Sequence, residues 1–230
     1  MKKFMMLVTF LGLATAFSWA DQDRHDTDDR LVHAGEVLHQ IMAAPDNGIP
    51  QEVLDHAKCI AVVPHLIKGG FVFGAEGGRG VATCRTPEGW SAPAFFSITG
   101  GNWGLQIGVE GIDLVMIIQS DRGMQRLLTS KFQIGADASV AAGPVGRHAS
   151  ADTDWKMNAE ILTYSRAKGV FAGITLNGAD VRRDDDSMRA FYGPGVAIHD
   201  VLHGRVPPPP AAAPFLDAVR GAKEQAAAAR

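Results

Sequence analysis

The sequence predicts an α+β fold: a glycine-rich antiparallel β-sandwich or partly closed barrel, with flanking N-terminal and C-terminal helices. Three observations carry this. Nineteen of the 26 glycines lie between Gly69 and Gly178, interleaved with β-branched and aromatic residues, a mixture that suits strands and close turns and weakens helices. Before that stretch, Leu31, Ala34, Leu38 and Ile41 recur at helical spacing. After it, an Ala-rich segment follows a run of four prolines.

The elements follow in order. Lys2 and Lys3, the apolar run Phe4–Phe17 and the small residues Ser18 and Ala20 form the three parts of a secretory signal peptide. The expected mature chain begins at Asp21 and is exported, periplasmic or extracellular. Residues 21–48 read as an acidic lead-in and an amphipathic helix, with Val32, Val37 and Met42 widening its stripe. Pro50 opens a second, short helix. Cys59–Val63, Gly70–Ala75, Gly80–Arg85, Ala92–Thr99, Leu105–Val109 and Ile112–Gln119 read as strands.

Leu105, Ile107 and Val109 share one parity, and Ile112, Leu114, Met116 and Ile118 the other. A one-residue bulge at about Gly111 would keep both sets on one face. Gly77-Gly78-Arg79-Gly80 and Gly100-Gly101-Asn102 read as turns, and Ser120-Asp121 starts a helix through Leu128. Phe132–Ala142 and Val170–Leu176 return to alternation, Asn177-Gly178 signals a hairpin, and Asp184 caps a helix to about Tyr192. Pro207–Pro210 forms a stiff spacer before a helix over Pro214–Ala229.

Composition narrows function. The chain carries 22 Lys+Arg against 25 Asp+Glu, a net of −3. Without residues 1–20 it carries 20 against 25, or −5. That balance argues against nucleic acid, which needs a cationic footprint. No Gly-x-Ser-x-Gly elbow, phosphate loop or Cys-x-x-Cys occurs, so the chain reads as no enzyme and no cofactor is implied.

His199 and His203 share the spacing of a zinc-binding helix, but Asp200 stands where that motif needs Glu, Gly204 ends the helix and no third ligand follows. They read as surface histidines, with no metal. Asp152-Thr153-Asp154 and Asp184-Asp185-Asp186 lack the spacing of a cation loop. Cys59 and Cys84 are either a disulfide or two separately buried thiols.

Several blocks in order carry a resemblance: Ala57–Pro64 (AKCIAVVP), Gly78–Gly80, Trp90–Pro93 (WSAP), Gln106–Gly108, Gly135–Arg147 (GADASVAAGPVGR) and Tyr164–Gly173 (YSRAKGVFAG). Together they resemble the SYLF domain family, over about Ile49 to Gly204. The domain is placed at 49–206, with 207–230 as proline spacer and terminal helix.

The resemblance implies a lipid-binding module without enzymatic activity. Eukaryotic members bind phosphoinositides, partly through an amphipathic helix at the domain's start, and some bind actin filaments. This chain departs from that pattern: residues 21–44 hold six acids against Arg24 and Arg30, a net of −4. A helix for anionic headgroups is basic on its polar face, so here the apolar stripe is expected to pack on the domain itself.

The leading expectation is peripheral contact with membrane phospholipid in the cell envelope. The nominated contacts are Lys68, Arg79, Lys131, Arg147 and Lys168, with Trp90 and Trp103 as interfacial aromatics. The alternative is an envelope scaffold that docks a protein partner with its C-terminal helix.

Overall fold

A computed structural model describes residues 23–44, 48–70, 73–103, 108–144, 159–167, 170–172, 176 and 178–228. The expected signal peptide, Asp152-Thr153-Asp154, Arg147 and Lys168 lie outside them.

Helix α1 spans residues 23–42, longer at its start than the apolar stripe marks. Its Leu31, Ala34, Val37, Leu38, Ile41 and Met42 are buried on the domain. Helix α2 covers Gln51–His56. The strands are β1 Cys59–Gly70, β2 Phe73–Thr86, β3 Gly89–Trp90, β4 Ala94–Trp103 and β5 Gly108–Ile118. After helix α3, Asp121–Leu128, come β6 Lys131–Gln133, β7 Val140–Ala142, β8 Ile161–Ala167, β9 Val170–Ala172 and β10 Asp180–Arg183. Helices α4 Asp185–Tyr192, α5 Ile198–Leu202 and α6 Ala213–Ala228 close the chain.

Eight strands form one curled, half-barrel sheet in the order β6-β10-β4-β2-β1-β5-β8-β7, with β3 beside β2 and β9 beside β8. The pairings are antiparallel except β7 with β8, which is parallel. Val62, Val81 and Phe95 on one face and Ala61, Ala82 and Phe96 on the other are all buried, so this part of the sheet is covered on both sides. One apolar core joins α1, the strands and α6.

The local signals for helix starts act as physical chemistry requires. Ser120 Oγ accepts the Gly123 amide and Asp184 Oδ1 accepts the Ser187 amide, each satisfying an orphan donor of a first turn.

Three expectations are corrected. Gly77-Gly78-Arg79-Gly80 and Gly100-Gly101-Asn102 are not turns but lie inside β2 and β4. Side chains cross their missing Cβ positions: the Phe96 ring lies 2.5 Å from where a Gly80 Cβ would sit, and the Glu76 carboxylate 2.8 Å from that of Gly100. The Asn177-Gly178 hairpin does not join its neighbours, because β9 pairs with β8 while β10 pairs with β4 and β6; Asn177 itself lies outside the described residues.

The bulge sits not at Gly111 but in the partner strand. Val63 pairs with Leu114 and Leu66 with Ile112, while Gly111 stays in register with Ile67. Pro64 has no amide to give the ladder, and His65 adopts the left-handed conformation at φ 57°. The displaced His65 amide donates to Asp113 Oδ1 at 3.2 Å, and Arg166 holds that carboxylate at 3.0 Å.

Candidate functional site

Residues paired directly across an antiparallel ladder put their side chains on the same face. Arg79 on β2 pairs with Ser97 on β4, Ser97 with Arg182 on β10, and Arg182 with Lys131 on β6. Three cations therefore stand in one row on one face, across about 14 Å at ~4.8 Å per strand step. Their side chains are 64%, 53% and 50% exposed for Arg79, Arg182 and Lys131.

The next row on that face runs Ile67, Gly77, Thr99, Asp180 and Gln133. Ile67 is 55% exposed and, with Val32, is one of two large apolar residues so open among the described residues. The face thus joins a band of positive charge to a projecting apolar side chain.

Two carboxylates temper the row. Asp180 Oδ2 lies 2.8 Å from Lys131 Nζ and 3.3 Å from Arg182 Nη2. The Lys131 hydrogen bond, chiefly, holds the Asp180 carboxyl below its usual range. Asp184 stands at the other end, 3.9 Å from Arg79 Nε. Its Oδ2 also accepts from buried Arg30 at 3.2 Å, and Arg30 donates to Ser187 Oγ and lies 5.4 Å from the Phe95 ring centroid. Burial alone would raise the Asp184 carboxyl; bonds from Ser187 and the charges of Arg30 and Arg79 outweigh it and hold it low. Counting Arg30, Arg79, Arg182 and Lys131 against Asp180 and Asp184, the cluster carries 4 − 2 = +2, opposite in sign to the chain's −3.

The structure thus sets Arg79 and Lys131 in one row and adds Arg182, which sequence reasoning missed. Only the register of β10 against β4 and β6 reveals it. Lys68 points to the opposite face, where Glu76 binds it at 2.9 Å and Glu110 is its other ladder neighbour. Trp90 is half-buried away from the row, under the Arg85 guanidinium at 4.6 Å, in a cavity of about 180 Å³ lined by Leu54, Ile60, Val219 and Lys223 among others. Trp103 pairs with Phe73 in the ladder.

Cys59 and Cys84 are joined in a disulfide across β1 and β2, with Cα atoms 4.0 Å apart. They form a non-hydrogen-bonded pair, since the flanking bond runs from the Arg85 amide to the Lys58 carbonyl, and that pair type brings Cα atoms closest.

Helix α6 uses its apolar residues internally: Phe215, Leu216, Val219 and Ala222 are buried, and Lys223 bonds Asp55 on α2 at 2.7 Å. Among the described residues no helix is long and apolar enough to cross a membrane. Nor do three or more metal-ligating side chains converge among them.

A family model described as Ysc84, Las17-binding protein actin regulator, matches residues 99–222. This chain belongs to the Ysc84 family, whose domain is the SYLF domain. The Ysc84 match runs from within β4 to within α6, and so holds Arg182 and Lys131 of the row but not Arg79. Similar Ysc84 relatives include the rat SH3 domain-containing YSC84-like protein 1, 37% identical over 167 residues, 72% of this chain and 49% of the relative. The human protein of that name is 35% identical over 167 residues, 72% of this chain and 48% of the relative. Protein YSC84 of Saccharomyces cerevisiae is 36% identical over 184 residues, 77% of this chain and 38% of the relative. The chain spans about half the length, or less, of these curated relatives.

Proposed function

We propose that this Ysc84-family chain is a non-enzymatic binding protein of the cell envelope that docks on anionic phospholipid surfaces through Arg79, Arg182 and Lys131. The observation that carries the reading is their alignment on one sheet face, beside exposed Ile67, on a chain of opposite net charge. Cations near an anionic leaflet contribute ~1 kcal/mol each, and an apolar side chain beside them adds burial at the headgroup boundary.

Export is supported by the leader pattern of residues 1–20 and by the Cys59–Cys84 bridge, since disulfides persist in oxidising compartments. The family's description names a Las17-binding actin regulator, which is a protein-binding role. A scaffold that docks its partner with the apolar face of α6 is disfavoured, because that face is already buried on its own domain.

The test is co-sedimentation with phosphatidylcholine vesicles with and without phosphatidylglycerol. Binding is expected only to the anionic vesicles and is expected to weaken with salt, as the Debye length falls from ~10 Å at 0.1 M to ~3 Å at 1 M. The triple variant Arg79→Gln, Arg182→Gln, Lys131→Gln should lose about a hundredfold in affinity, from ~1 kcal/mol per cation. Arg220→Gln, on α6, should bind as the parent does. Unchanged binding by the triple variant would overturn the row as the contact, and no binding to any vesicle would favour the scaffold.

A further inference from the structure

His199 on α5 and His203, which caps its C-terminal end, lie four residues apart and stack, with ring centroids 4.1 Å apart and planes 23° from parallel. Both are exposed. His203 Nδ1 lies 2.8 Å from the His199 carbonyl oxygen. A carbonyl oxygen only accepts, so Nδ1 carries the proton and Nε2 of the neutral ring keeps its lone pair. His199 Nδ1 lies 3.6 Å from Asp200 Oδ1, a carboxylate that Arg205 anchors at 2.7 Å.

Each imidazole therefore turns Nδ1 towards an oxygen acceptor, a backbone carbonyl or a carboxylate. Metal-binding histidines are oriented in this way, with the outer partner selecting the tautomer and raising ligand basicity. Two nitrogens bound to one ion at ~2.0 Å stand about 3 Å apart in cis and about 4 Å in trans. The ring centroids of such a cis pair stand about 4.5 Å apart; His199 and His203 are at 4.1 Å, and the exposed rings tilt out of their stack for both Nε2 lone pairs to meet at the ion.

The contrast within the chain is informative. His56 makes the same Nδ1 bond to the carbonyl four residues back, at 2.8 Å, but that residue is Glu52. His33 and His65 approach edge-on with centroids 6.3 Å apart. Only His199 and His203, among the described residues, bring two imidazoles face to face.

We propose that His199 and His203 form a surface site for a divalent transition-metal ion, Cu(II) in preference to Zn(II) or Ni(II). Each ring supplies Nε2, and water completes the coordination. Two protein ligands make the ion exchangeable, and the preference follows the general order of affinity of nitrogen ligands for these ions. No catalytic role is implied: Asp200, held by Arg205, stands beside His199 as a nearby charge and is not placed as a base.

The experiment is calorimetric titration of the protein with Cu(II), paired with ring-proton NMR to locate the histidines broadened first. One equivalent is expected to bind at the pair, with His199 and His203 broadening together before the others. His199→Ala and His203→Ala should each weaken binding at least about tenfold, because losing a ligand costs no less than losing an outer partner. His56→Ala should leave the affinity unchanged. Thermal melts of all three variants report retained fold, and His199→Gln provides a second, polar substitution. A His203→Ala protein that binds as tightly as the parent, or first broadening at another histidine, would overturn the site.

Discussion

Replacing Gly35 by alanine isolates how closely α1 and α6 approach. A Cβ at Gly35 would lie 2.6 Å from the Pro214 carbonyl oxygen, 3.1 Å from its carbon and 3.5 Å from the Phe215 Cα. All three are backbone atoms, so no rotamer relieves the contact and the helices must part by several tenths of an ångström. Overpacking of this kind costs ~1–3 kcal/mol, and an immovable partner puts Gly35→Ala in the upper half of that range. Alanine returns ~0.8–1.0 kcal/mol of helix propensity, leaving a net loss of about 1–2 kcal/mol.

Gly221 on α6 is the matched control. A Cβ there meets nothing within 4 Å, so Gly221→Ala keeps the whole propensity gain. The two variants should differ by about 2–3 kcal/mol, or about 5–10 °C in melting temperature at ~2–4 °C per kcal/mol for a chain of this size. Thermal unfolding followed by circular dichroism reads the difference. A Gly35→Ala protein that melts at or above the parent temperature would refute the argument.

Two further outcomes follow from the interior. Thiol titration under denaturing, non-reducing conditions should find no free thiol, and reduction of the Cys59–Cys84 bridge, whose ends are 25 residues apart, should lower stability by ~3 kcal/mol on chain-entropy grounds. Arg30→Met strips Asp184 of its buried partner and should cost ~3 kcal/mol. Because the folded Asp184 carboxyl is held low, its contribution is present above the unfolded value of ~3.9 and is lost as pH falls through the folded value. Urea midpoints of the parent protein should therefore drop in acid more steeply than those of Arg30→Met.

Helices were legible where local chemistry decides them. Ser120 and Asp184 mark their helix starts because a cap is a bond between neighbours in sequence. The stripe of α1 likewise repeats at short range. What stayed hidden depended on partners far along the chain. Gly78 and Gly80 look like turn residues until Val63, Leu66 and Phe96 are seen to occupy their Cβ space. The shift in parity around Gly111 suggested a bulge in β5, but β5 alternates without a break and the extra residue lies between Val63 and Leu66, where only the pairing of the strands shows it. Arg182 became part of the site through a ladder joining positions 79, 97, 182 and 131. No local pattern encodes that adjacency.

The bulge in β1 also separates the length of this strand from the way its side chains face. Its extra residue is extra against both neighbours: Val62 to Ile67 spans five steps opposite four on β2, and Val63 to Leu66 three opposite two on β5. Removal of His65 alone would leave four steps opposite four and two opposite two, so Leu66, Ile67 and Lys68 would keep their places opposite Ile112, Gly77 and Glu76. Simple alternation would then run through the whole strand. What would go is the left-handed residue and the amide it turns out of the ladder towards Asp113. At this point of the fold the extra residue serves that one contact and leaves inside and outside of the strand as they were.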